Sequence, residues 1–396
     1  MEIAELKHFI DAQEPAMLAL TERLINIDSG TRDAQGIRQV HDVLVEFFDQ
    51  HGLEHYTIET TSENPVLVVT LNSESTAAPI IFIGHTDTVF PKGTVAQNPF
   101  RIDEAGMMHG PGIVDMKTGD VIGIFTLLAL REAGYTTRPI KFILVSDEEN
   151  LHMFSNTGDV IRQEAKDGLY ALNFETGYLD DGLVVGRKGG GIVDIEVKGI
   201  AAHSGHDPEK GRSAILELAH KIIAIEGLND LARGKLLNCG KSEGGTGENI
   251  IPDTAKVSIG IRFDSPKMRD EILAELEQIT QTHTVADVQA TLSVRMLIEA
   301  METTTEVMDL YQHIEETARE IGYGEVKPIR VGGASDSGIL VSEGIPTVCA
   351  LGAKGSGPHT MYEIASVVSL TSRTFLNTMT VLRMEEKLNV NEQSGF

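Results

Sequence analysis

The stretch "RPIKFILVSDEE", residues 138–149, runs an apolar segment, Ile140 to Val145, straight into three adjacent carboxylates, Asp147, Glu148 and Glu149. A short, nearly continuous apolar run reads as a strand covered on both faces, the signature of a buried sheet. Like charges crowded at its end raise one another's pKa and destabilise the fold unless something positive compensates them. Working outward, four more apolar runs stand at "NPVLVVTLN" (64–72), "PIIFIGH" (79–85), "GLYALNFE" (168–175) and "IPTVCALG" (345–352). Segments of helical period separate them, among them "IRQVHDVLVEFFDQHG" (37–52), with Gly52 as a C-cap, and "VIGIFTLLALREAGY" (121–135). The expected fold is α/β, with a mainly parallel central sheet and sites gathered beyond the carboxyl ends of its strands.

Between about residues 187 and 299 the texture changes. "GGGIVDIEVKG" and "NIIPDTAKVSIGIRF" alternate as half-exposed strands, "RSAILELAHKIIAIEGL" and "SPKMRDEILAELEQITQTH" are amphipathic helices, and "DVQATLSVRML" closes the segment. This order predicts an inserted ferredoxin-like α+β domain. The expected organisation is an α/β domain whose first part spans 1–186 and whose second part spans 300–396, interrupted by the inserted domain at 187–299. The junction run "GRKGGG" lacks the G-x-x-x-x-G-K-[ST] pattern of a phosphate loop and reads as a hinge. The tail "NVNEQSGF" is expected to fray.

Composition narrows the partners. The 396 residues are 41% hydrophobic and 23% charged, which suits a globular protein of two or three domains. Lys plus Arg is 33 against 59 Asp plus Glu, a net charge of −26 that argues against nucleic acid or an anionic membrane as partner. Cys239 and Cys349 lie far apart and form no C-x-x-C pair, so two buried free thiols are expected. No signal-peptide pattern and no apolar run of membrane-spanning length is visible, and the expected location is the cytoplasm.

The strand ends carry the chemistry. His85 and Asp87 follow "IIFIG", Asp115 sits in the glycine-rich "HGPGIVDMKTG", Glu148 and Glu149 follow the stretch quoted first, Glu175 lies in "NFETG", and His359 lies in "GSGPHTMYE". Singly each has an ordinary reading: a core histidine for His85, a helix N-cap for Asp115. Together they bring imidazoles and carboxylates to strand ends that should be neighbours. Oxygen and nitrogen donors without thiolate suit zinc, cobalt or manganese. The set exceeds what one tetrahedral ion needs. Two ions about 3.5 to 4 Å apart, bridged by one carboxylate, would absorb it, with one glutamate of the pair left over to move a proton.

These motifs, together with "AAHSGHDPEKGRSAI", "NIIPDTAKVSIGIRF" and "GGASDSGILVSEGIPT", resemble the M20 family of metallopeptidases over nearly the whole chain, and most closely its glutamate carboxypeptidase-like branch. The group also holds acetylornithine deacetylases and succinyl-diaminopimelate desuccinylases. The resemblance implies a catalytic domain, here 1–186 and 300–396, interrupted by a lid or dimerisation domain at 187–299. The resemblance implies that Asp115 bridges two divalent ions, His85 and Glu175 completing one site and Glu149 and His359 the other. It implies Glu148 as general base and acid, Asp87 as the carboxylate that orients His85, and His203 as a histidine reaching the substrate carbonyl from the partner subunit of a homodimer. Asn249 and Arg262 match positions that hold a substrate carboxylate.

One departure stands out: family members commonly follow the glutamate pair with a small Gly-Ser step, and here Asn150, Leu151 and His152 follow. His109, His152 and His206 read as loop residues outside the ligand set. The implied activity is hydrolysis of small peptides or N-acyl amino acids with release of a C-terminal, glutamate-like residue. An N-acyl-amino-acid deacylase, a dipeptidase, or a metal-dependent amino-acid-binding dimer without turnover are the alternatives.

Overall fold

The computed structural model describes residues 1–394 and divides into two compact units. The first comprises Met1–Gly186, Thr303–Arg330 and the chain from Ser335 onward. The second comprises Arg187–Glu302 and the short return Val331–Ala334. Among the described residues no helix is long and apolar enough to cross a membrane.

The first unit is built on a six-stranded sheet in the order Glu54–Ile58, Val66–Leu71, Ile140–Val145, Ile80–His85, Tyr170–Asn173, Thr347–Val348. The last four strands are parallel, as expected, but Val66–Leu71 and Glu54–Ile58 pair antiparallel. Antiparallel neighbours need only a short connection, and the few residues between those two strands allow it. Every residue of Val66–Leu71 and Ile80–His85 is buried, which explains why neither reads as an alternating pattern.

The two faces of the sheet are covered differently. Ile81, Ile83, Ile143 and Val145 pack with Ile161, Ala165, Ile339 and Leu340 of helices Thr157–Glu164 and Ser337–Ser342 and the residues that follow them. On the other face Phe82, Phe142 and Phe174 form an aromatic cluster, ring centroids 5.0 to 6.0 Å apart, beneath helix Lys117–Glu132. Gly119 and Gly123, one turn apart, let that helix settle: a Cβ would stand 1.9 Å from the Phe174 carbonyl oxygen at the first and 2.4 Å from the Phe142 ring at the second. Truncating Phe142 to Ala would cost about 3 to 5 kcal/mol at such a site.

Parallel register aligns the strand ends. His85 is level with Val145, and the Thr86 amide donates to the Val145 carbonyl at 2.8 Å. The motif after one strand therefore starts beside the motif after its neighbour. A second, five-stranded sheet supplies the remaining pieces. Its strand Lys354–Ser356 pairs in parallel with Gly177–Tyr178, just past Glu175, and in a hairpin with Ile364–Ser366. His359 lies in that hairpin's loop, at φ +64°.

The second unit is an antiparallel sheet in the order Leu236–Gly244, Thr254–Phe263, Gly189–Lys198, Gln289–Ile298, the arrangement of a ferredoxin-like domain. Val193, Ile195, Val257, Ile259 and Ile261 on one face bury against Leu218 and Ile225 of helix Ala214–Glu226 and Ile272 and Leu276 of helix Pro266–Gln281. Two expectations need correction. Helix Val368–Ser394 carries the tail expected to fray, helical as far as Ser394; residues 395–396 lie outside the described residues. Of the two cysteines expected to be buried only Cys349 is, Cys239 being half-buried on a strand at the edge of its sheet.

Candidate metal centre

Asp115 is the middle of the site. Its Oδ1 lies 3.2 Å from Nε2 of His85, and its Oδ2 lies 3.1 Å from Nε2 of His359. Glu175 stands on the His85 side, at 3.7 Å from Nε2, and Glu149 on the His359 side, at 3.1 Å. Glu148 approaches His85 more loosely, at 3.9 Å. The capping reading of Asp115 fails, because helix Lys117–Glu132 has Met116 at its N-cap with no side-chain cap and the carboxylate is turned to the two imidazoles. The Asp115–Met116 peptide bond is cis.

The charge balance shows what the cluster lacks. Asp115, Glu148, Glu149 and Glu175 converge on two histidines, and Asp115, Glu148 and Glu175 are all buried. Gathered buried carboxylates demand positive charge. Protons are one source of it. Hydrogen bonds to Asp115 and Glu149 push His359 up to about 11. Burial opposes charge on His85, yet Asp115 and Asp87 carry it well above the usual imidazole range. Burial, reinforced by Glu175 and Asp336, raises Glu148 well above the usual carboxylate range. The geometry fits divalent cations: His85, Asp115 and Glu149 each offer a ligand atom within 4.8 Å of the others, as do His85, Glu148 and Glu175. Glu149 Oε1 is buried without a hydrogen-bond partner, an acceptor left open toward such an ion.

Residues around the cluster hold this set in place. Asp87, fully buried, accepts from the Glu148 amide (3.2 Å), the Glu149 amide (3.2 Å) and the Thr31 hydroxyl (2.5 Å). It thus pins the backbone of the glutamate pair. Its bond to His85 runs mainly through the main chain, Nδ1 donating to the Asp87 carbonyl at 3.1 Å with the carboxylate at 3.4 Å. Below, the buried His41 Nε2 is shared between Ser146 Oγ (2.9 Å) and Thr86 Oγ1 (3.2 Å), and burial pushes His41 down to about 4, so it sits there neutral. Asn64 donates to the Thr31 and Ser146 carbonyls. Glu363, 1% exposed, accepts from the His359 amide at 2.9 Å. Lys117 is buried with Nζ on the Leu24 and Ile27 carbonyls, and burial lowers it to about 7. Asp87 was singled out in the sequence beside His85, but the supporting roles of Thr31, His41, Asn64 and Lys117 were not legible there, since Thr, Asn and single buried His or Lys residues carry no spacing signal.

His203, Asn249 and Arg262 belong to the second unit. His203 and Asn249 are joined there, the Ser204 amide donating to the Asn249 carbonyl and His203 pairing with Ile250. The amides of Gly205 and His206 donate to His203 Nδ1 at 3.1 and 3.2 Å. A neutral His203 must therefore carry its proton on Nε2. Arg262 lies on the open face of the sheet, and a Cβ at Gly190 would come within 2.6 Å of its Nη1. The triple glycine thus leaves room for a guanidinium. His109 bonds to Asp103, and His206 packs against His203 with ring centroids 4.5 Å apart and the planes tilted by 50°; both are bound locally.

The chain is similar to known proteins in sequence and in fold. The chain is 29% identical over 357 residues to carboxypeptidase G2 of Pseudomonas sp. (strain RS-16), covering 88% of this chain and 84% of that one. It is 26% identical over 374 residues to a succinyl-diaminopimelate desuccinylase of Dechloromonas aromatica (strain RCB), covering 89% and 94%. The fold matches that of the aminopeptidase PepT of Bacillus cereus ATCC 10987 with a TM-score of 0.74 at 22% identity, over 93% of this chain and 98% of the other. The model of peptidase family M20/M25/M40 matches residues 81–373, from the strand that ends in His85 to the last helix and across both units, and the chain belongs to that family of peptidases and amidohydrolases.

Proposed function

We propose that the protein is a di-metal amide hydrolase that releases a C-terminal, glutamate-like amino acid from small peptides or N-acyl amino acids. The observation that carries this reading is the Asp115 carboxylate, one oxygen toward His85 and the other toward His359. His85, Asp115 and Glu175 would hold one divalent cation and His359, Asp115 and Glu149 the other. Zinc suits the donors best, with cobalt or manganese as substitutes. Bound there, the cations acidify a water and polarise the scissile carbonyl. Glu148, left outside both sets, takes the proton of the attacking water and passes it to the departing amine. Nε2–H of His203, reaching from the partner subunit of a homodimer, donates to the carbonyl oxygen as charge develops on it. Arg262 and Asn249 receive the free carboxylate of the substrate, a planar fork being the natural partner of that group.

Support for the carboxypeptidase reading comes from the likeness to carboxypeptidase G2 and from Arg262 beside the bare backbone of Gly190. A deacylase or dipeptidase would use the same cluster with a different acyl or amine pocket. With only two cysteines, far apart in sequence, the chain carries no disulfide framework, and we place the enzyme in the cytoplasm. The test is hydrolysis of N-acyl amino acids and dipeptides by metal-stripped protein reloaded with zinc, cobalt or manganese. Release favouring C-terminal glutamate supports the proposal, and release favouring other residues moves it to deacylase or dipeptidase. Ligand binding without release under any metal would leave a non-hydrolytic binder. Glu148→Ala should retain metal and lose about 10² to 10⁴-fold in turnover.

A further inference from the structure

The loop that departs from the family pattern is formed by Asn150, Leu151 and His152. Immediately after the 3-10 turn Glu148–Asn150, Leu151 and His152 both adopt left-handed backbone, at φ +59° and +55°. A non-glycine residue in that region is strained and persists only when its surroundings hold it. The hold is visible. The His152 side chain, 7% exposed, places Nδ1 2.8 Å from Asp147 Oδ1 and Nε2 2.6 Å from Asp336 Oδ1. Ionised carboxylates only accept, so serving both requires a proton on each ring nitrogen, and the ring is an imidazolium. Asp147 also accepts from Ser155 Oγ at 2.5 Å, closing the loop on itself. Asp336 comes from a distant part of the chain: it precedes helix Ser337–Ser342, makes no side-chain cap there, is buried, and lies two residues beyond the stretch Val331–Ala334 that groups with the second unit. Its charge is felt at Glu148.

We propose that His152 is a positioning residue, a cationic clamp between Asp147 and Asp336 that fixes the turn carrying Glu148 and Glu149 against the start of helix Ser337–Ser342. A small Gly-Ser step at this place could not span the two carboxylates. The imidazolium also neutralises two buried acids that would otherwise repel each other and Glu148. Removing it both frees a strained turn and leaves two buried carboxylates facing one cavity. Replacing Asp336 with a neutral amide at the same time removes half of that penalty. The inference rests on the hydrolase reading, in which Glu148 moves the proton and Glu149 holds metal.

The experiment measures kcat, KM and bound metal for His152→Gln, Asp336→Asn, the double variant, and Glu148→Gln, all as full chains loaded with zinc. Positioning predicts that His152→Gln loses about 10 to 100-fold in kcat, with KM within about 3-fold and metal content unchanged. The double variant should recover part of that loss, since its two changes share one interaction. Asp336→Asn, which keeps a hydrogen-bond partner and adds no buried charge, should fold and still lower kcat; unchanged kcat there overturns the clamp even if His152→Gln misfolds. Wild-type kcat in His152→Gln beside an inactive Glu148→Gln overturns the clamp and leaves the hydrolase standing. Full turnover in Glu148→Gln overturns the hydrolase reading itself and the clamp with it.

Discussion

His85 and His359 face the two oxygens of the same carboxylate from unlike supports. His85 ends the strand at the middle of the sheet, 1% exposed, with Thr86 and Asp87 bonded into the layers behind it. His359 projects from a hairpin loop, its side chain 56% exposed, held by left-handed turns at Gly357 and His359 and by one bond from its amide to Glu363. One half of the centre is thus preformed by a packed core, and the other depends on a loop. A rigid donor set loses little entropy on binding an ion, whereas a loop must be ordered first. The difference predicts unequal sites: tight on the His85 side, exchangeable on the His359 side.

The largest effect should come from the group that the two sides share. Asp115→Asn ought to remove both ions and abolish turnover to background, read by elemental analysis and product release; retention of one ion would show that the sides are independent. Next, His85→Ala should lose metal and also stability, by about 2 to 4 kcal/mol in urea unfolding, because it empties a buried position. His359→Ala should shed only the exchangeable ion and leave the unfolding midpoint nearly unchanged. Equal destabilisation by the two would erase the proposed contrast. A smaller change is expected of Glu363→Gln, which keeps the hydrogen bond but weakens it: about 10-fold weaker binding of the second ion in a stepwise chelator titration.

Acidity should separate the two supports as well, with the smallest effects. In the metal-free protein burial pushes the Glu363 carboxyl up to about 8 from an ordinary 4.5, so the fold binds the extra proton. Its contribution to stability is complete below pH 4.5 and is lost as pH rises through about 8. His41, lowered from 6.5 to about 4, acts oppositely: its contribution is present above pH 6.5 and lost as pH falls through about 4. Unfolding of metal-free protein across this range should therefore lose its alkaline slope in Glu363→Gln and part of its acidic slope in His41→Gln. If each slope persists in its variant, other groups carry it.

Legibility in the sequence follows the same division. The buried strands were readable because a sheet covered on both faces needs continuous apolar runs, and the acidic and imidazole residues stood out at their ends. The antiparallel edge was not, because Val66–Leu71 is as apolar as its parallel neighbours and pairing direction leaves no mark on composition. The five-stranded sheet was missed because its strands are two or three residues long, too short to show a period. Helix Val368–Ser394 outran the expected end because no glycine or proline stops it before Gly395.

The amino-acid order by itself determined which chemistry was available: two histidines, four acids with one glutamate to spare, and a strand of the inserted domain bearing Arg262. Tertiary structure alone decided which of those groups meet. Asp115 could cap its helix or span two imidazoles, and only the parallel register that levels His85 with Val145, together with the hairpin that carries His359, turns it to the second task. Likewise nothing in "ENLHMF" announces that His152 will find Asp336, 184 residues on. Spacing along a chain governs local contacts, but hydrogen bonds and charges act through space, and their partners are chosen by the packing of layers that lie far apart in sequence.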